Sequence, residues 1–290
     1  MKIIKRYLSK LFEIINKDEM KFLPGHLAYF FILSIVPAIT LVAFLCSRFG
    51  LNNEEMVQFF LDIIPKAAAG VIKQFFSNTG SGMAIIYLII GIILVSNGAY
   101  AIIIACNSLY KVKDSSALFG RIKSLFLTFV LMFLFIFILV VIAFGNSIVT
   151  FILDFEMFEE IRGIIYPLFI YLKWPTAFFI IYVLLKLVYT LSPDKSVRSY
   201  TVTKGSIFTT VGWLISTGIY SYYANNIARY DMLYGNLSNI VILMMWIYLI
   251  SYIFVIGIAI NVSSYLNTQE KKEQDNNEHE NVQQTTKKAL

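Results

Sequence analysis

MAIIYLIIGIILVSNGAYAIIIACNSL (Met83–Leu109) runs for twenty-seven residues without a charged side chain. At about 1.5 Å of rise per residue, that exceeds the roughly 20 residues a helix needs to cross a hydrocarbon core. The run is apolar on all sides. A membrane barrel strand would alternate apolar and polar positions over about ten residues, and lipid tolerates only helices or closed barrels. The pattern is therefore helical. Four more windows read the same way: Leu27–Ser47, Ser124–Leu153, Gly205–Ala224 and Leu237–Val262. A sixth, Ile164–Thr190, is interrupted by Lys173 and Lys186. Its central run Trp174–Leu185 is too short to cross alone, so it needs flanking residues, with Lys186 snorkelling to one surface. The expected fold is all-α, a polytopic membrane helix bundle of about six transmembrane helices.

Composition agrees. Hydrophobic residues make up 58% of the chain and charged residues 14%, against about 25% charged in ordinary globular proteins. The net charge of +6 could suggest nucleic acid, but in a membrane protein surplus Lys and Arg set orientation. With the N-terminus inside, segments 1–26, 110–123, 191–204 and 263–290 hold six, four, three and four Lys/Arg; 48–82, 154–163 and 225–236 hold three, one and one. Seventeen against five places both termini inside. Residues 1–26 form a cytoplasmic amphipathic segment: Ile3, Ile4, Tyr7, Leu8, Leu11, Phe12 and Ile15 make an apolar stripe opposite Lys2, Lys5, Arg6, Lys10 and Lys17, as in helices lying on anionic membrane surfaces. Residues 27–262 form the six-span transmembrane domain. The polar, charge-mixed stretch 263–290 is expected to be a disordered cytoplasmic tail. In the outside loop 48–82, Met56, Phe59, Phe60, Ile63 and Ile64 share a helical face, which predicts helices capping the bundle. No signal-peptide cleavage pattern precedes the first span. Cys46 and Cys106 fall near opposite membrane faces, too far apart to bridge.

Catalytic patterns are missing. The two histidines are His26 and His279, and no zinc spacing, H-E-x-x-H, P-loop or G-x-S-x-G occurs. No enzymatic activity, cofactor or metal is expected. The spans hold no Asp or Glu, which disfavours a proton or cation carrier. Candidate polar or pathway residues within the membrane are Lys173, bracketed by Pro167 and Pro175 and suited to an anionic group such as a lipid phosphate; Asn97, near the centre of the second span; and Pro37, which should kink the first span and free the Leu33 carbonyl, with Ser34 beside it to help satisfy it. Each also has a structural reading: Lys173 touching headgroups, Asn97 bonding across helices, Pro37 merely bending. Membrane lipids, anionic headgroups among them, are the expected partners; no nucleic acid is.

Several stretches resemble a known family. HLAYFFILSIVP (26–37), with Tyr29 and Pro37, resembles the LAYYxxLSLFP opening of the YihY/BrkB family of bacterial membrane proteins. SNGAYAIIIACNSLYKV (96–112), with Asn107 and Tyr110, is similar to that family's second-span ending. LVYTLSP (187–193), with Tyr189 and Pro193, resembles its LLYRxxP, Thr190 standing for the usual Arg. Tyr234-Gly235, Trp246 and Gly257 through Asn261 resemble its closing motif, with Ala259 in place of the usual Glu. The succession covers about residues 20–265. The resemblance implies a six-span protein of the bacterial cytoplasmic membrane. Family names have included virulence factor and ribonuclease BN; the second gains nothing from these residues. Two functions follow as expectations: translocation of a lipid or anionic solute, or a non-transporting envelope-organising scaffold.

Overall fold

A computed structural model describes residues 9, 11–48, 82–138, 162–226 and 230–289. The helices are α1 (Glu19–Arg48), α2 (Gly82–Tyr110), α3 (Ala117–Ile138), α4 (Arg162–Leu191), α5 (Thr203–Asn226), the short α6 (Tyr230–Tyr234) and α7 (Ser238–Ala289), with a 3-10 turn Gly235–Leu237 before α7. No strand occurs among the described residues. Along the chain each long helix packs on the next, and α7 returns to α1, which closes a ring; α7 also reaches across to α2.

Local chemistry sets the boundaries. A short helix over residues 11–15 ends in a turn at 16–18, where Asp18 pairs with Lys21 at 2.7 Å and Glu19 occupies the electropositive first turn of α1. At the end of α2, Lys111 adopts φ 54°. Its N–H donates to the Ser108 carbonyl and that of Val112 to the Asn107 carbonyl, the double closure that ends many helices on a left-handed residue. Gly235 (φ 51°) supplies a second left-handed step where only glycine is unstrained.

Two expectations change, those for Ser34 and for the tail. Pro167 and Pro175 lie inside α4 and Pro37 inside α1, and both helices continue through them. Each ring removes one backbone bond, but in an apolar setting helix remains the way to satisfy the rest. Ser34 donates to the Phe30 carbonyl at 2.7 Å rather than serving Leu33, because a helical hydroxyl reaches the carbonyl four residues back. The stretch read as a disordered tail continues α7 to Ala289. Extending an existing helix skips the costly nucleation step, and the Glu, Lys, Gln and Ala there are good helix formers. The loop helices expected within 49–81 lie outside the described residues.

Among the residues whose burial is described, the core gathers side chains from four of the long helices. Leu27 of α1, Ile102 and Leu109 of α2, Leu185 and Val188 of α4, and Val255 and Ile258 of α7 meet there, joined by Val202 of the α4–α5 loop. Outward faces are apolar: Ile93, Phe126, Phe133 and Ile219 are each more than half exposed. That inversion suits a hydrocarbon solvent. Ile89–Tyr110 and Ile240–Glu270 are, by length and composition, able to cross a membrane.

Candidate functional site

Two polar constructions occupy the packed end. The first ties the α2–α3 turn to the α4–α5 loop. The Asn107 side chain, 1% exposed, donates from Nδ2 to Asp114 Oδ1 and to Asp194 Oδ2, both at 2.8 Å. Its Oδ1 accepts the backbone N–H of Asp194 at 2.8 Å. The Ser115 N–H donates to Asp194 Oδ2 at 2.9 Å. Lys123 of α3 donates to Asp194 Oδ1 at 2.6 Å and to the Ser192 and Pro193 carbonyls at 2.8 Å. All three ammonium donors are thereby used. Burial alone would raise the Asp194 pKa. The Lys123 ammonium, the Ser115 amide and the Asn107 amide outweigh it and hold the carboxyl down at about 2.

The second construction is neutral. Tyr189 of α4 is buried; its hydroxyl donates to the Phe254 carbonyl at 2.9 Å and shares a 2.7 Å hydrogen bond with Thr209 of α5. Its ring stacks on Phe254 with centroids 4.7 Å apart. Beside it α5 and α7 cross through two glycines. A Cβ on Gly205 would fall onto the Gly257 carbonyl and Asn261, and one on Gly257 onto Thr209 and the Tyr189 hydroxyl. The Gly205 N–H, one of the unpaired amides of the first turn of α5, donates to Asn261 Oδ1 at 2.8 Å. Asn261 Nδ2 and the Ser251 and Tyr110 hydroxyls are buried without a hydrogen-bond partner among the described residues.

Of the residues singled out from sequence, Asn107, Tyr110, Tyr189, Pro193, Gly257 and Asn261 gather at this end. Tyr29 is exposed on α1, and Tyr234 is exposed in α6. Gly235 follows Tyr234, and Trp246 donates to Thr217 Oγ1 at 3.3 Å; none of these four joins the site. Pro37 and Lys173 lie in α1 and α4, their side chains outside the described set. Asn97 lies near the middle of α2 (Gly82–Tyr110). The segment 111–116 folds back along α2, since Asp114 reaches Asn107; Gly120 then meets the Tyr100 ring. Asn97 consequently lies beside the first turns of α3, where Arg121 donates to its Oδ1 at 2.7 Å. Ser34 abuts Gly98 one residue on. Asp194, Lys123, Arg121, Thr209 and Gly205 were not picked out from sequence. The usable signal was that Asp194 is the sole acid in 191–204 and directly follows Pro193.

A helix bundle whose described outer faces are apolar is an integral membrane protein in class. The comparisons name the family: the profile of the Virulence factor BrkB family matches residues 11–282, and the chain belongs to that family. It is similar to the ribonuclease-like protein YfkH of Bacillus subtilis, 26% identical over 88% of this chain and 94% of the relative. It is also similar to UPF0761 membrane proteins of Vibrio parahaemolyticus, 26% identical over 93% of this chain and 84% of the relative, and of Vibrio cholerae, 28% identical over 86% and 83%. No solved structure matches the chain.

Proposed function

We propose that this is a multi-pass protein of a bacterial cytoplasmic membrane, with six spans and both termini inside, that translocates a lipid or anionic solute between its helices. The observation that carries the reading is the charged latch of Lys123, Asp194 and Asn107. It joins two helical hairpins at the end with the surplus of Lys and Arg, where a gate must be able to make and break its contacts. An ion pair held by directional bonds has two discrete states, made or broken, and repacking of such pairs accompanies rigid-body transitions. The buried, unpartnered Asn261 Nδ2 and Ser251 Oγ support a route that admits water or cargo once the latch opens. Asn97, Ser34, Pro37 and Lys173 remain the candidate contacts along it. The bracketing segments are 1–26 and 263–290 on the cytoplasmic side, with 27–262 in the membrane.

The tight crossing at Gly205 and Gly257 favours a second reading, a non-transporting scaffold that organises the envelope. Labelling separates the two. In a cysteine-free background, Ser96→Cys in inside-out vesicles should react with a membrane-impermeant maleimide, and faster when Lys123→Gln opens the latch. Complete protection in both forms would sink translocation. We assign no catalysis. Among the described residues no three His, Cys, Asp or Glu side chains could share a metal ion, and a nuclease assay with a chelator control tests the ribonuclease-like name of the Bacillus relative.

A further inference from the structure

We propose that Arg121, braced by Asn97 and Tyr100, binds the phosphate of an anionic phospholipid in the groove between α2 and α3. The guanidinium carries five N–H donors in a rigid fork. One goes to Asn97 Oδ1 at 2.7 Å, and the cation lies over the Tyr100 ring, 5.2 Å from its centroid. Both contacts hold the group in place and leave most of the fork open. Among the described residues no carboxylate pairs with it, whereas Lys21 pairs with Asp18 and Lys123 with Asp194. The contrast with Lys123, two residues along the same helix, is sharp: its three donors are all consumed inside the protein.

Surroundings identify the ligand. Arg121 is exposed beside Leu118, one turn back on α3, and next to the apolar face formed by Phe119, Ile122 and Phe126; all four apolar side chains are more than half exposed. A fixed cation with open donors at the edge of an apolar, exposed face, one turn inside α3, suits an anion that brings its own hydrocarbon. A phospholipid phosphate does so, and the Arg fork matches two phosphate oxygens at once. An anionic headgroup is favoured over phosphatidylethanolamine, whose own ammonium competes for the phosphate. A snorkelling arginine would instead turn its head to water; this one is turned onto Asn97 and an aromatic face. The site is independent of translocation, because a lipid held here is a ligand whether or not anything crosses.

Native mass spectrometry of the full chain in mild detergent tests it, with phosphatidylglycerol or phosphatidylethanolamine added. The wild type should retain phosphatidylglycerol over phosphatidylethanolamine, and Arg121→Gln, which keeps a donor for Asn97, should cut retention about fivefold with an unchanged elution profile. Arg121→Lys should fall between, and Lys111→Ala, a cation in the adjoining turn, should match the wild type. Excess inorganic phosphate should not displace the lipid. Equal retention by Arg121→Gln and wild type overturns the proposal. So does an equal loss in Lys111→Ala, which would mean diffuse attraction, or full displacement by phosphate, which would mean a simple ion site. If Arg121→Gln fails to fold, Asn97→Ala, which keeps the charge but frees the fork, must lower retention; no change there overturns it as well.

Discussion

The neutral crossing and the charged latch lie within the same end of the bundle, yet they solve the problem of buried polarity in opposite ways. At the crossing, glycine removes the side chains so that two helices touch backbone to backbone, and Tyr189 and Asn261 supply short uncharged bonds. At the latch, a full ion pair is kept, but only where two turns supply further donors and acceptors to both charges. Hydrocarbon makes the difference intelligible. A neutral hydroxyl needs one or two partners to be buried cheaply, whereas a carboxylate needs several and an opposite charge besides.

The widest gap between the two regions should appear on adding a methyl group. Gly205→Ala drives its Cβ into a backbone carbonyl that cannot move aside, so we expect a loss of about 4 kcal/mol or no folded protein, read from detergent melting and membrane yield. Gly257→Ala meets side chains instead, and adding Thr209→Ala should recover part of its loss. No rescue would mean the crossing is not what limits packing.

The latch should respond to charge. Lys123→Met or Asp194→Leu alone strands a buried partner and should cost about 3 kcal/mol. The double variant should cost clearly less than the two combined; strict additivity in the melting cycle would deny the coupling. The pH response has a definite sign. The folded carboxyl titrates at about 2 against an ordinary 3.8, so its contribution is complete above pH 4 and is lost as pH falls through 2. It amounts to about 2 kcal/mol, and Asp194→Asn should flatten the stability curve over that window.

The smallest effect belongs to Tyr189→Phe. It keeps the stacking on Phe254 and removes one hydroxyl between Thr209 and the Phe254 carbonyl, which should cost about 1 kcal/mol in the same melts. A loss as large as that of the latch variants would shift the Tyr189 hydroxyl from packing to a linchpin role.

Helix positions were legible because the signal is local: α2 and α5 extend one or two residues past the ends of Met83–Leu109 and Gly205–Ala224, and the described parts of the other windows are helical as well. The site was legible only in half. Asn107, Tyr189, Pro193, Gly257 and Asn261 were visible as motif residues, but their shared end was not. Lys123 was counted merely as a loop charge, and Asp194 was not singled out at all. Asn107 and Asp194 are 87 residues apart, and no periodicity reports a contact between two loops. The Arg121 partner of Asn97 was missed for a related reason, since helix length alone does not reveal that the turn after α2 doubles back.

Composition and hydropathy by themselves determined that this chain is helical and belongs in lipid, because the solvent acts on every residue in turn and leaves its mark along the sequence. Which charges meet, which glycines touch and which arginine keeps its donors open were decided only when the helices packed. Those facts depend on distances between segments remote in the chain, and a linear sequence carries no measure of them.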